Sequence, residues 1–255
     1  MKISIIGSGW LARPLALSLQ RAGHELLLTT TQVKKVIELK ALGLSAITYQ
    51  LGDQLSNPEQ LFDTQVLIIA ITHKDWVDFD ILMDQISEQN CQHILYISST
   101  SVYQNNGANQ DENSQQLNQS SPILAIEQLI QHHPSTCILR FAGLVGPGRH
   151  PGRFLTKNNT MKSPDAAVNL IHLEDCIGII HAIIEQQAWQ QVFNACADTH
   201  PKKLTFYQHM AKSLGNPDVV ADFESVSTDK IIIAEKVKSN LNYHFKYPNV
   251  MTMEF

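Results

Sequence analysis

Lys2-Ile3-Ser4-Ile5-Ile6-Gly7-Ser8-Gly9-Trp10-Leu11-Ala12-Arg13-Pro14-Leu15-Ala16 is the stretch whose reading decides the fold. Lys2 to Ile6 is a short apolar run of strand type, and Leu11, Leu15, Leu19 and Ala22 recur at helical spacing on one face until Gly23 stops the pattern. Pro14 falls in the first helical turns, where its missing N–H is tolerated. Between strand and helix, Gly7 to Ala12 fits G-x-G-x-x-A in the context that gives this motif a meaning. Gly7 permits the tight turn, Gly9 lets the backbone approach a pyrophosphate, and Ala12 lets helix and strand pack closely. Phosphates then meet the free N–H groups of the helix N-terminus. Gly7, Gly9, Trp10, Leu11 and Ala12 are therefore expected to hold a dinucleotide.

Working outward, Glu25 to Thr30 reads as a second strand and Val33 to Leu42 as a helix ended by Gly43, which completes a βαβ unit. An NAD site presents an acid about 20 residues after the glycine turn to bind the ribose 2′-hydroxyl. From Leu26 to Ile37 there is none. The strand ends in Thr29-Thr30-Thr31, followed by Lys34 and Lys35. Hydroxyls beside ammonium groups suit a 2′-phosphate, so Thr30, Thr31 and Lys34 join the expected site and NADP is favoured, with NAD the alternative. The competing reading is that the lysines are simply solvated.

Further along, Ala46 to Tyr49 is a third strand, Asn57-Pro58 opens a short helix, Val66 to Ile71 is a fully buried fourth strand and Ile94 to Ser98 the fifth. Gln104 to Ser121 reads as a long polar loop, Ser121-Pro122 opens a helix through Ile130, and Cys137 to Phe141 is a sixth strand. Gly143 to Gly152 is a Gly/Pro-rich loop. The rhythm then becomes irregular: a strand near Asn169 to His172, a helix from Asp175 to Glu185, a strand at Val192 to Ala195, and helices near Thr205 to Leu214 and Asp229 to Leu241. The pattern predicts an α/β chain with a doubly wound parallel sheet of Rossmann type and a small, discontinuous C-terminal lobe. Residues 1–145 form the dinucleotide-binding domain, segments near 169–195 return to it, and 146–168 with 196–255 make the lobe.

Composition agrees with a globular chain. Of 255 residues, 44% are apolar and 17% charged, which excludes a disordered or coiled-coil protein. A net charge of −5 gives no overall positive field for nucleic acid or an anionic membrane, so neither partner is expected. The four cysteines show no Cys-x-x-Cys pair, which predicts reduced, buried thiols and no metal site. Lys2 to Leu19 superficially resembles a signal peptide, but Gly7, Ser8, Gly9 and Arg13 interrupt it, and the cytoplasm is the expected compartment. Oligomeric state is left open.

Three further segments carry a family resemblance: Tyr96-Ile97-Ser98-Ser99-Thr100-Ser101-Val102-Tyr103, Leu139 to Gly148, and Ile171-His172-Leu173-Glu174-Asp175-Cys176. With the glycine turn, the chain resembles the extended short-chain dehydrogenase/reductases, the family of sugar-nucleotide epimerases and dehydratases. Gly7 to Ala16, Gly146 to Phe154 and Tyr247-Pro248-Asn249 are similar to its atypical YeeZ-like subgroup. The resemblance implies a nicotinamide cofactor, with Asp53 beyond the third strand and Ala70 in the fourth added to the cofactor set. It also implies a small-molecule substrate and a proton relay of Tyr and Lys one helical turn apart. Counting back from Glu127 puts Gln119 and Ile123 at those two positions, and Ser121-Pro122 between them signals a helix start.

Ser99 matches the family's substrate-orienting hydroxyl. Tyr103 is either a relocated acid or a strand-end packing residue with its hydroxyl satisfied. Arg149, His150 and Arg153, in a loop held by Gly and Pro, together with His172, are the expected contacts to an anionic substrate. Loop arginines that are merely solvated are the alternative, and Asp175 reads equally as a helix N-cap. Two functions compete: an oxidoreductase or epimerase-like enzyme with a non-standard active site, and a non-catalytic NADP(H)-binding redox sensor or regulatory module.

Overall fold

A computed structural model describes residues 1–154, 160–215, 219–225 and 228–255. Parts of the C-terminal lobe expected above, residues 155–159, 216–218 and 226–227, lie outside the described residues. The elements begin β1 (Lys2–Ile6), α1 (Ala12–Arg21), β2 (Glu25–Thr30), α2 (Val33–Ala41), β3 (Ser45–Thr48), α3 (Glu59–Phe62), β4 (Thr64–Ile69), α4 (Trp76–Ser87) and β5 (Cys91–Ser99). They continue with β6 (Asn109–Gln110), α5 (Pro122–Ile130), β7 (Thr136–Phe141), β8 (Gly143–Val145), β9 (Thr160–Lys162), β10 (Leu170–His172), α6 (Leu173–Glu185) and β11 (Gln191–Ala195). The last are α7 (Lys203–Ser213), β12 (Val220–Asp222), β13 (Ile231–Ile232) and α8 (Glu235–Leu241).

Seven strands make the parallel central sheet, in the order β11-β7-β5-β4-β1-β2-β3. This is the doubly wound Rossmann arrangement the alternation predicts. The winding reverses between β1 and β4, whose residues pair in register from Ile3↔Val66 to Ile6↔Ile69. Strands at the centre of such a sheet are covered on both faces, which is why Val66 to Ile69 is an unbroken apolar run with every side chain fully buried. Burying a side chain of this size is worth roughly 1.5–3 kcal/mol.

Contacts divide the chain into two compact units. The first comprises Met1–Ser99, Gln119–Leu139 and Ile180–Val192. Its core joins Ile6, Leu67 and Ile69 of the sheet to Phe79, Leu82 and Ile86 of α4 and Ile126 and Ile130 of α5. Here α4 is an element with no counterpart among the expected ones; Asp75 caps it by accepting the Val77 N–H at 2.9 Å.

The second unit comprises Thr100–Asn118, Arg140–Ile179 and Phe193–Phe255. Its apolar cluster gathers Val145, Val168, Leu170, Phe206, Met210 and Val250. Two expectations are corrected in it. The loop read over Gly143 to Gly152 opens with a strand, β8, which pairs in parallel with β10. The single helix read over Asp229 to Leu241 is a short strand, β13, then α8: β-branched Ile231 and Ile233 give their N–H groups to the carbonyls of Ala108 and Gln110 beside β6, so the helix starts only at Glu235.

Candidate functional site

Within the first unit, the glycine turn leaves β1 directly into α1. Gly7 has φ +118°, and a Cβ added there would lie 2.6 Å from the Ala70 carbonyl oxygen, so both backbone conformation and space demand glycine. Ala70 thus meets the turn through its backbone, donating its N–H to the Ile6 carbonyl at 2.9 Å. Gly9 differs: an added Cβ meets nothing within 4 Å. The chain itself does not use that space. Ala12, buried, opens α1 behind Leu11, which supplies no side-chain cap, and the first turn carries no acid. An uncapped helix N-terminus beside an open glycine face fits an anion such as a dinucleotide pyrophosphate.

Thr29, outside the residues singled out from sequence, braces this turn by accepting the Gly7 N–H on Oγ1 at 3.1 Å. Its signal was the β1–β2 register, which runs Ile5↔Leu28 and brings the next threonine to the glycine turn. Thr30 is buried and its Oγ1 accepts the Gln32 N–H at 3.4 Å. Thr31 and Lys34 are exposed at the start of α2. Asp53 is exposed; its N–H reaches the Gln50 carbonyl at 3.1 Å, and its own carbonyl accepts Gln85 Nε2 at 3.1 Å. Ser99, half-buried, ends β5.

The two relay positions do not share a helix. Gln119 is exposed before the N-cap Ser121, whereas Ile123 stands in the first turn of α5 after Pro122. Glu127, buried on the same helix, accepts a hydrogen bond from Ser98 Oγ at 2.5 Å.

Within the second unit, Tyr103 is the centre of a buried polar group. Its hydroxyl donates to Asn194 Oδ1 at 2.8 Å and accepts from Arg140 Nη1 at 2.8 Å, while the guanidinium carbon sits 4.9 Å from the ring centroid. Asn194 Nδ2 donates to the Ile233 carbonyl at 3.1 Å, its N–H goes to Glu112 at 2.6 Å, and Lys230 Nζ donates to the Tyr103 carbonyl at 2.6 Å. Burial pushes the phenol pKa up, with the Arg140 charge pulling the other way. Burial also lowers Lys230 and raises Glu112. Arg140 stands in the Leu139 to Gly148 segment but was not singled out there, and Asn194 had no motif to mark it.

Of the expected substrate contacts, Arg149 and Arg153 are exposed. His150 caps the short turn Pro151–Arg153 by accepting the Gly152 N–H on Nδ1 at 3.0 Å, and its ring lies edge-on to Phe255. His172 is buried; Nε2 donates to the Glu254 carbonyl at 3.0 Å and Nδ1 accepts the Glu174 N–H at 3.2 Å. That pair of contacts suits the neutral ring, since a second proton on Nδ1 would face an N–H donor.

Burial lowers the pKa of His172, and equally of His24, His93, His150 and His200. A folded pKa below the unfolded value stabilises above about pH 6.5 and loses that contribution as pH falls through the folded value. The midpoint of thermal unfolding should therefore drop as pH falls through and below about 6.5, with the raised carboxyls of Glu112 and Asp175 opposing the trend as they take up protons. A flat or rising midpoint over that range would contradict the neutral assignments.

No family model matches the sequence. Protein YeeZ of Escherichia coli strain K12 is 30% identical over an alignment of 270 residues that covers 99% of this chain and 98% of that protein. Among solved structures, a functionally unknown conserved protein from Silicibacter pomeroyi superposes with a TM-score of 0.82 at 24% identity, covering 98% of this chain and 95% of that one. UDP-glucuronic acid 4-epimerase from Bacillus cereus, solved in complex with NAD, does so with a TM-score of 0.80 at 17% identity, covering 98% and 93%. At these identities the structural likenesses establish the fold.

Proposed function

The chain belongs to the family of protein YeeZ, and from that premise we propose that it is a protein of the epimerase/dehydratase branch of the short-chain dehydrogenase/reductases, binds a nicotinamide dinucleotide at the Gly7 turn and acts with it on a small molecule. The observation that carries this reading is the open face of Gly9 beside the uncapped start of α1. Gly7 and Gly9 let the backbone approach the pyrophosphate, α1 supplies N–H donors, and Thr29 holds the turn in shape. The bound cofactor would supply hydride chemistry; Ser99 would orient the substrate oxygen, and Arg149 with Arg153 would draw an anionic substrate. The four free, buried thiols fit a reducing compartment, here taken as the cytoplasm.

NADP(H) is the favoured cofactor, because no acid stands between Leu26 and Ile37 and Lys34 is exposed at the start of α2. Calorimetric titration tests both parts. NADP(H) should bind more tightly than NAD(H), and Lys34→Ala should remove about 1.5–3 kcal/mol from NADP(H) binding alone, as for other hydrogen bonds to charged groups. Equal affinities would overturn the preference, and no binding of either at millimolar concentration would overturn the proposal.

A second reading, a redox-sensing module without turnover, is favoured by one observation. The Tyr103 hydroxyl has its proton on Asn194 and its acceptor site on Arg140, and Gln119 and Ile123 cannot relay a proton. General acid–base catalysis contributes about 10²–10⁴-fold, so its loss without replacement leaves turnover near background. Oxidation of bound NADPH across a panel of carbonyl compounds separates the readings: turnover supports the enzyme, and binding without turnover supports the sensor.

A further inference from the structure

Three lysines of the second unit, Lys202, Lys238 and Lys246, each meet a carboxylate, on Asp165, Asp198 and Glu174. Lys230 of the same unit does not. Its side chain is half-buried, meets no carboxylate among the described residues, and has one hydrogen-bond partner, the Tyr103 carbonyl oxygen 2.6 Å from Nζ. The acids beside it in the chain and in the polar group around Tyr103 are engaged by backbone donors: Asp229 Oδ2 accepts the Ala167 N–H at 2.5 Å and Glu112 Oε1 the Asn194 N–H at 2.6 Å. The backbone that carries Lys230 is held on both sides. Asn169 Nδ2 donates to the Lys230 carbonyl at 2.8 Å, the Asp229 carbonyl accepts the Gly107 N–H at 2.7 Å, and the Ile231 N–H reaches the Ala108 carbonyl at 3.2 Å.

An ammonium group has three donors and a charge, and leaving two donors and the charge unmatched in a half-buried place is costly. A neutral amine suits the place better, with one N–H on the Tyr103 carbonyl and the lone pair free. Burial lowers the Lys230 pKa, which works in the same direction. Amines desolvated in this way attack carbonyl carbon. We propose that Lys230 is a reactive amine that binds a small aldehyde or ketone as an imine, with the Tyr103 carbonyl orienting its nitrogen. The nitrogen lone pair forms the C–N bond, the carbonyl π pair moves to oxygen, and one proton passes from nitrogen to that oxygen. The carbinolamine then loses its hydroxyl together with the second nitrogen proton as water. One amine and one carbonyl compound give one imine and one water, and nothing is oxidised or reduced. Protonated from solvent, the imine nitrogen again has an N–H for the Tyr103 carbonyl. The site lies within the second unit and its reaction needs no dinucleotide, so it goes beyond the cofactor reading and stands or falls separately from it.

Acetaldehyde with cyanoborohydride, which reduces imines in preference to aldehydes, turns each imine into an N-ethyl lysine that peptide mass spectrometry locates. In the wild-type protein at neutral pH and limiting aldehyde, Lys230 should be modified about threefold or more faster than exposed Lys34 and Lys212, because more of it is free amine. Its rate should also level off at a lower pH than theirs. Lys230→Arg keeps a donor for the Tyr103 carbonyl and forms no imine, so the fast phase should vanish while Lys34 and Lys212 react as before. Modification of wild-type Lys230 no faster than the exposed lysines, a pH profile shared with them, or a fast phase that survives Lys230→Arg would overturn the assignment. Titration with NADP(H) and NAD(H) reads the Gly7 turn alone, and its outcome leaves this one untouched.

Discussion

Gly9→Val is expected to abolish dinucleotide binding while leaving the protein folded. The two halves of that result have separate causes. Apart from its two chain neighbours, a Cβ at Gly9 meets no atom of the chain within 4 Å, so the added side chain starts out in open space. It projects into the space beside the start of α1, where it would hold a pyrophosphate away from the helix N–H groups. Each hydrogen bond to a charged oxygen contributes about 1.5–3 kcal/mol. Losing two of them weakens binding by about a hundredfold or more. Gly7 provides the contrast: with φ +118° and the Ala70 carbonyl at 2.6 Å from any Cβ, Gly7→Ala strains the native backbone and lowers the unfolding midpoint. Calorimetry beside thermal unfolding on both variants checks the pair. A Gly9→Val protein that binds NADP(H) or NAD(H) as tightly as wild type would sink the site.

What the sequence made legible follows from the range of the interactions involved. The glycine turn, the buried strands and the helix stops depend on residues within a few positions of one another, and these predict the sheet and its cofactor turn. Helix α4 has equally local signals, the cap Asp75 and the apolar spacing Phe79, Leu82, Ile86, yet the polar residues around them hid its amphipathic pattern. The Asp229–Leu241 segment misled because β-branched isoleucines read as a helix face until a strand 122 residues earlier in the chain, Ile231 pairing with Asn109, supplies a partner. Tyr103 could be read two ways for the same reason. Its hydroxyl partners, Arg140 and Asn194, lie 37 and 91 residues away, and no local pattern announces a buried Tyr–Arg–Asn group.

The segment Ile171 to Cys176 was legible as a motif and ambiguous as chemistry, and substitution of Asp175 resolves the ambiguity. Asp175 is fully buried in the first turn of α6. Its Oδ1 accepts the Tyr243 hydroxyl at 3.0 Å and the Lys246 N–H at 2.7 Å, and its Oδ2 accepts the Tyr247 N–H at 3.0 Å. Gly178, one turn further on, has no Cβ because the Tyr243 ring occupies that position. The carboxylate therefore organises the chain from Tyr243 to Tyr247, while neighbouring His172 holds the Glu254 carbonyl and packs its ring 4.0 Å from that of Tyr247. Burial raises the Asp175 pKa, and the three donors pull it back, so removing the donors' partner leaves groups that water must reach or that stay unpaired. Asp175→Ala deprives two backbone N–H groups and a phenol of their acceptor at once and should cost roughly 3 kcal/mol or more. Asp175→Asn, which keeps one acceptor oxygen for Tyr243 and Lys246, should cost less. Denaturant unfolding gives the magnitude, and limited proteolysis should show new cleavage after residue 240 in the alanine variant. A group whose business is substrate alone would behave differently: its removal would weaken ligand binding and leave the unfolding midpoint and the protease pattern as they are in wild type.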